Sequence, residues 1–230
     1  MLKEFGPNIW TVDGPVVTAA AGFRYPTRMA VIRLVGGDLV LWSPTALTDD
    51  LRTSIENLGT VRHLVPPNSL HHTFLGEWQR SYPDAKVYAP PGLRETRQDI
   101  RFDTDFGDAQ IAAWAGEIDH AIIWGNRIIS EVVLFHRDSG TTIFTDLIQQ
   151  LPPGWFTGWR ALVARLDLMT AEQPEVPRKF QAAFTNRPAA RAALAQVLAW
   201  PTKQVIMAHG PLIHTDGQAF LKRVFRWLVG

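Results

Sequence analysis

The sequence has no cysteine, no long apolar run and no excess of charge of one sign. Without cysteine, disulfides and thiolate metal ligands are excluded, so a metal would need histidine, carboxylate or amide ligands. The 23 basic and 22 acidic residues give a net charge of +1. This balance predicts neither nucleic acid nor a membrane as a partner. There is no run of about 18 apolar residues to span a bilayer, and "MLKEFGPNIW" lacks the pattern of a secretory signal, so we expect a cytoplasmic location.

The composition is that of a folded protein. Hydrophobic residues make up 46% of the 230 residues and charged residues 20%. A chain of this length buries one substantial core, and we expect a single domain over residues 1–230. Most of the nine tryptophans have apolar neighbours, which favours packing in the core. We extend this expectation to the aromatic cluster Trp155, Phe156 and Trp159, whose alternative use is an apolar lid over a cleft.

The order of the predicted elements indicates an α/β fold. "MAVIRLVGGDLVLW" reads as a hairpin, and a helix capped by Thr48 and ended by Gly59 leads into the strand "VRHLV". Further strands are predicted around 109–115, 130–136 and 141–145. Helices, the strand "KQVIMAHG" and a terminal helix follow. This order suits mixed sheets inside and helices outside.

Polar candidates follow three of the predicted strands. His71 and His72 come after "VRHLV", Asp146 follows "TTIFT", and His209 follows "KQVIMA". Three imidazoles and one carboxylate can close a tetrahedral zinc site. Each residue also has a structural interpretation: His71 and His72 open a helix, Asp146 caps the next one, and His209 is a lone structural histidine.

Three other residues are candidates for orienting water or substrate at such a site. They are Asn68, Asn126 in "WGNR", and His214, five residues after His209. The serines lack the Gly-x-Ser-x-Gly setting of an activated nucleophile, so a serine hydrolase is disfavoured.

The motifs "LWSPTAL", "PPNSLHHTFLGEW", "FTDLI" and "AHG", in this order of elements, resemble the metallo-β-lactamase superfamily, and within it the divergent DUF4336 family. The resemblance implies a four-layer αββα sandwich, with two mixed sheets flanked by helices. It also implies that His72 matches the last histidine of the hallmark His-x-His-x-Asp-His and that His71 stands in place of its aspartate. Asp146 matches the metal-bridging aspartate, and His209 matches the final histidine.

Three further metal-ligand positions of the superfamily carry other residues, namely Pro67, Ser69 and Asn126. A shifted alignment would instead set Asn68 against the first hallmark histidine. Because the three lost positions serve one metal of two-metal members, the resemblance implies one retained divalent-metal site, with zinc as the expected metal.

Three functions remain open at this point. The first is a metal-dependent hydrolase-like protein acting on a small molecule of unknown class. The second is a non-catalytic binding protein on a degenerate metallo-β-lactamase fold. The third is a homo-oligomeric structural or redox-partner module joined by exposed tryptophans.

Overall fold

The computed structural model describes residues 1–229 and consists mainly of two sheets with helices on their outer faces. The strands are β1 (Lys3–Gly6), β2 (Ile9–Asp13), β3 (Val17–Thr18), β4 (Arg24–Tyr25), β5 (Arg28–Arg33), β6 (Asp38–Trp42), β7 (Thr60–Val65), β8 (Lys86–Ala89), β9 (Thr104–Asp105), β10 (Ile118–Ile123), β11 (Glu131–His136), β12 (Thr141–Gln149) and β13 (Gln204–His209). The helices are α1 (Asp49–Glu56), α2 (Leu75–Ser81), α3 (Leu93–Thr96), α4 (Gly158–Leu166), α5 (Arg178–Ala183), α6 (Arg187–Ala199), α7 (Gly217–Val224) and α8 (Arg226–Val229).

The first sheet has the strand order β1-β2-β5-β6-β7-β8-β9. Strands β5 and β6 form the predicted antiparallel hairpin, and β6, α1 and β7 form the predicted strand–helix–strand unit with its strands parallel. The hydroxyl of Thr48 accepts a hydrogen bond from the backbone N–H of Leu51 at 3.2 Å, which confirms the N-cap of α1.

The second sheet has the order β10-β11-β12-β13, with antiparallel pairs up to β12 and a parallel pair β12–β13. The strand predicted around 109–115 is wrong, because Ala112–Trp114 form a 3₁₀ turn and the strand lies at Ile118–Ile123. The segment 109–115 contains one β-branched residue, Ile111, among alanines, whereas 118–123 contains three buried isoleucines.

The sheets pack face to face, and helices cover both outer surfaces. Trp42 and Val65 of the first sheet share one buried apolar cluster with Ile122 and Leu134 of the second. A second cluster joins the first sheet to α1–α3, and a third joins the second sheet to α5–α8. The predicted four-layer αββα sandwich is confirmed.

The three aromatic residues predicted to pack in the core do not share one environment. Phe156 is buried beside Leu151, Ala164 and Met169, and Trp155 packs on the same group. Trp159, in contrast, is 54% exposed, so the prediction of core packing was wrong for this residue. Its side chain lies on the solvent face of α4, because the opposite face carries the alanines that pack inward.

Among residues 1–229, no helix combines the length and the apolar character needed to cross a bilayer.

Candidate metal centre

His71, Asp146 and His209 converge at one end of the two sheets. His71 lies in the loop after β7, Asp146 within β12, and His209 at the end of β13. The Nε2 atoms of His71 and His209 are 3.1 Å apart. Asp146 Oδ2 lies 3.2 Å from His71 Nε2, and Asp146 Oδ1 lies 3.4 Å from His209 Nε2. Three residues widely separated in sequence thus direct electron-pair donors at one point.

Each imidazole is held through its second nitrogen. His209 Nδ1 is 2.9 Å from the carbonyl oxygen of Pro26, which only accepts, so Nδ1 carries the proton. In the neutral ring this leaves a lone pair on His209 Nε2 that faces Asp146 and His71. His71 Nδ1 is 2.9 Å from Ser43 Oγ, a group that can donate or accept. A partner on the second nitrogen fixes ring orientation, as it does in protein metal sites.

Asn68 holds the carboxylate and the loop that carries His71. Its Nδ2 donates to Asp146 Oδ2 at 2.8 Å and to Thr145 Oγ1 at 3.0 Å. Its Oδ1 accepts from the backbone N–H groups of Leu70 at 2.8 Å and His71 at 3.1 Å. One fully buried amide therefore fixes two of the three converging side chains relative to each other.

Glu131 holds the backbone of β12 around Asp146 in place. The pairing of β12 with β13 is irregular between Phe144 and Gln149, which frees backbone N–H groups. The buried Glu131 carboxylate accepts from the N–H groups of Thr145 at 2.7 Å, Asp146 at 2.8 Å and Leu147 at 3.0 Å. Burial, together with the charge of Asp146, raises the pKa of Glu131 to about 7.

The electrostatics of the cluster centre on a buried carboxylate. Burial alone would raise the pKa of Asp146, but the charge of His71 and the hydrogen bond from His71 hold that pKa well below its usual range. Burial would likewise lower the pKa of His71, yet the attraction of Asp146 raises it. Burial lowers the pKa of His209. Asp146 is therefore ionised, and His209 is the histidine that stays neutral.

The donor set fits a divalent cation. Ligands about 2.0–2.2 Å from a tetrahedral zinc ion are separated from each other by about 3.3 Å, and the three observed separations lie between 3.1 and 3.4 Å. Two imidazole nitrogens and one carboxylate suit zinc and similar borderline metals. These three residues could hold a metal ion and leave a fourth position open.

His72, the fourth expected ligand, lies outside this cluster. The Arg97 guanidinium contacts His72 Nδ1 at 2.6 Å and donates to the His72 carbonyl at 2.9 Å. Burial and the charge of Arg97 lower the pKa of His72. The two neighbouring side chains diverge, because His71 turns towards Ser43 and His72 towards α3 and the Arg97 that follows it.

Asn126 and His214 are also placed elsewhere, so the structure does not support their expected role beside the cluster. Asn126 Nδ2 donates to the carbonyl of Phe180 at 2.9 Å, and its Oδ1 accepts from Ile128 N at 2.9 Å. The His214 ring lies 4.9 Å from that of Phe5 and lines a different cavity. The amide of Asn126 bonds the backbone around its own loop. His214 lies close to His209 in sequence, but the two histidines line different cavities.

Comparison with known proteins agrees with this fold. The family described as a domain of unknown function (DUF4336) matches residues 7–157, more than half of the chain. The chain belongs to the DUF4336 family. No functionally curated protein matches its sequence.

Solved structures similar to this DUF4336 chain include a metallo-β-lactamase from Pontibacter korlensis, with 15% identity, a TM-score of 0.66, and coverage of 100% of this chain and 99% of that one. Another is the FIM-1 metallo-β-lactamase from Pseudomonas aeruginosa in its mono-zinc form, with 14% identity, a TM-score of 0.61, and coverage of 100% and 96%. The metal-soaked Flv1 flavodiiron core from Synechocystis sp. has 13% identity and a TM-score of 0.66, and the match covers 100% of this chain and 60% of that one. At such identities these likenesses establish the fold.

A cavity of about 330 Å³ opens onto the cluster of this DUF4336 protein. Much of its wall is apolar, formed by Val17, Ala19, Ala20, Pro44, Leu70, Phe74, Ile128 and Phe180. Tyr25 and Lys179 supply polar groups in the same wall, with the Tyr25 hydroxyl 3.3 Å from Lys179 Nζ. Burial raises the pKa of Tyr25, so its phenol remains a neutral hydrogen-bonding group. The cavity suits a small molecule with an apolar body and few polar groups.

Sequence reasoning missed four residues of the site. Ser43 follows β6 with a φ of 53°, a left-handed conformation uncommon for serine, and nothing in the sequence signals it beyond its place at a strand end. Glu131 was detectable as the one acidic residue in β11, where four apolar residues separate it from His136. Tyr25 and Lys179 lie far from the ligands in sequence and reach the cavity only through the fold.

Proposed function

We propose that this protein is a hydrolase-like protein with one divalent-metal site, formed by His71, Asp146 and His209, and that its metal is zinc. The observation that supports the proposal is the convergence of these three donors, at separations suited to tetrahedral coordination, on an apolar cavity. A mononuclear site also agrees with the three superfamily ligand positions occupied here by Pro67, Ser69 and Asn126.

Catalytic zinc sites keep three protein ligands and one open position. Zinc bound there would lower the pKa of a coordinated water to about 7 and polarise a carbonyl or phosphoryl oxygen. The chain itself supplies the orientation: Asn68 fixes Asp146, Ser43 fixes the His71 ring, and the Pro26 carbonyl fixes the His209 ring.

The cavity wall would select the substrate. Its apolar side chains would exclude water and bind the apolar body, while Lys179 and the Tyr25 hydroxyl would bind a polar or anionic group. Lys179 is also paired with Asp167 at 3.5 Å. The carboxylate holds the ammonium group in place and offsets its positive charge. We therefore propose a small, largely apolar substrate whose chemical class stays open.

A non-catalytic binding protein is the second candidate, and one specific observation favours it. His71 stands where active two-metal members have an aspartate, so the site has one carboxylate, Asp146, and this carboxylate is already engaged by Asn68. On this alternative the same residues would bind a metal and a ligand without turnover.

Metal analysis of protein purified without chelator tests the proposal. We expect about one equivalent of metal, and its loss in His71→Ala and His209→Ala. His214→Ala is the matched control, since this histidine lines a different cavity and should leave the metal content unchanged. No metal in the unsubstituted protein, or equal loss in the control, contradicts the proposed site.

A panel of ester, thioester, lactone and phosphodiester substrates then separates the two candidate functions. Turnover that is lost in His209→Ala supports a hydrolase. Bound metal with no turnover across the panel supports the binding protein instead.

A further inference from the structure

Helix α4 presents an apolar face to solvent. Its side chains Trp159, Leu162, Val163 and Leu166 are 54%, 52%, 40% and 55% exposed. They are spaced i, i+3, i+4 and i+7, so they form one continuous stripe along the helix. A surface helix ordinarily turns such a stripe towards the core, so its outward direction calls for an explanation.

The direction of the stripe is fixed by the opposite face of the helix. Ala164 is fully buried and Ala161 is partly buried, and both pack on the cluster that contains Leu151, Phe156 and Met169. Small residues therefore face inward and large apolar residues face outward. Rotating α4 to bury the stripe would require this small cluster to accommodate an indole and three branched side chains.

Positive charge borders the stripe. At about 100° per residue, Arg160 and Arg165 lie on the two flanks of the apolar face, and α4 contains no acidic residue. Arg160 donates to the carbonyl of Ala21 and lies over the Trp159 ring at 4.7 Å, whereas Arg165 is exposed. Arg178, also exposed, donates to the carbonyl of Leu166 at the end of the helix.

The acidic residue that directly follows α4 is already paired with a lysine. Asp167, which directly follows α4, pairs with Lys179 at 3.5 Å, and its side chain is 12% exposed. The chain-wide net charge of +1 thus conceals a local surface that is apolar along its crest and basic at its edges.

We propose that α4 docks on an anionic membrane surface. A helix with apolar side chains that include tryptophan, bordered by arginines, suits the interface between acyl chains and negatively charged headgroups. A second copy of this chain suits it less well, because a two-fold contact between stripes would bring the arginine borders of both copies together. This proposed docking departs from the expectation, based on net charge, that the protein has no membrane partner.

Docking at α4 would take place next to the cavity. The segment 17–25 lies between the two: Ala19, Ala20 and Tyr25 line the cavity, while Ala21 accepts from Arg160. The Tyr25 ring lies 6.4 Å from that of Phe156, which supports α4 from inside. Binding of α4 to a membrane would not require any activity in the cavity.

Flotation of the full chain with lipid vesicles tests the proposal. The probes are vesicles of phosphatidylcholine alone and vesicles with equal parts of phosphatidylcholine and phosphatidylglycerol. We expect flotation with the anionic vesicles, and weaker flotation with neutral vesicles or in high salt, because salt screens the arginines. Arg165→Gln should weaken binding to the anionic vesicles about fivefold, the share of one basic residue near such a surface.

The double variant Leu162→Glu, Leu166→Glu should abolish flotation. Val35→Glu is the matched control, because Val35 is 92% exposed in the turn between β5 and β6. This variant should float as the unsubstituted protein does. Thermal unfolding of each variant checks that the fold is retained.

Three results would overturn the proposal. They are absence of flotation by the unsubstituted protein, equal flotation with both vesicle types, and flotation of the double leucine variant at the level of Val35→Glu. A dimer in sedimentation velocity that the leucine variant dissociates, without vesicle binding, would assign the stripe to a second copy.

Discussion

Two asparagines, both predicted from the sequence to act at the site, provide a test of its architecture. The perturbation is Asn68→Ala compared with Asn126→Ala. Asn68 makes two hydrogen bonds through Nδ2 and accepts two through Oδ1, and one of its partners is the ionised Asp146. Asn126 also uses both ends of its amide, but it bonds only backbone groups and lies away from the cluster.

The expected magnitudes follow from these contacts. A net hydrogen bond contributes about 1 kcal/mol and one to a charged group about 1.5–3 kcal/mol. With three neutral hydrogen bonds and one to Asp146, Asn68→Ala should lower the free energy of unfolding by about 4.5–6 kcal/mol. Asn126 is only partly buried and has no charged partner, so about 2 kcal/mol is expected for Asn126→Ala. Because groups that orient metal ligands typically account for 10–100-fold in affinity, Asn68→Ala should also weaken zinc binding by about that factor, and Asn126→Ala should not.

Urea unfolding gives the stabilities, and competition with a chromophoric chelator gives the zinc affinities. The two variants should both lose stability, and they should differ in affinity. Equal zinc affinity for Asn68→Ala and the unsubstituted protein would refute the role of Asn68 in holding Asp146. An equal loss of affinity in Asn126→Ala would show that the chelator assay reports general destabilisation.

Three further predictions concern single side chains. His72→Ala should keep one equivalent of metal, because His72 contacts Arg97 and lies outside the donor cluster. If elemental analysis finds no metal in this variant, His72 is a ligand after all. Ser43→Ala should weaken zinc binding about tenfold by freeing the His71 ring, and chelator competition that finds no change contradicts this. Burial lowers the pKa of His63 to about 4, so its neutral form is favoured in the folded state. The contribution of neutral His63 to the free energy of unfolding is complete above pH 6.5. It is lost as the pH falls towards 4, because the unfolded state then gains a proton that the folded state does not, and the total loss is about 3 kcal/mol. Urea unfolding at both ends of this range should show a smaller loss for His63→Gln, and an equal loss would disprove the assignment.

All three residues of the donor cluster were candidates from the sequence, because the signals that mark them are local. His71, Asp146 and His209 each lie at or beyond the end of an apolar run. The parallel strands β12 and β13 bring Asp146 and His209 together in the second sheet, and the end of β7 in the first sheet brings His71 to them. The family motifs are also contiguous in the sequence, so the resemblance to DUF4336 depends on local pattern alone. Asp146 nevertheless lies within β12, because Glu131 satisfies the backbone where the pairing becomes irregular.

The sequence by itself determined the layered α/β order, the cap at Thr48, the family, and the residue types able to bind a metal, since all of these depend on neighbours along the chain. Tertiary structure decided which donors meet. It directed His72 to Arg97, engaged Asn126 in its own loop, and brought Ser43 and Pro26 to the histidine rings. It also turned the large apolar face of α4 outward, because the small alanines fit the cluster beneath. The direction of a side chain and its partners in the other sheet depend on contacts between segments that are distant in sequence. A local sequence pattern cannot predict such contacts.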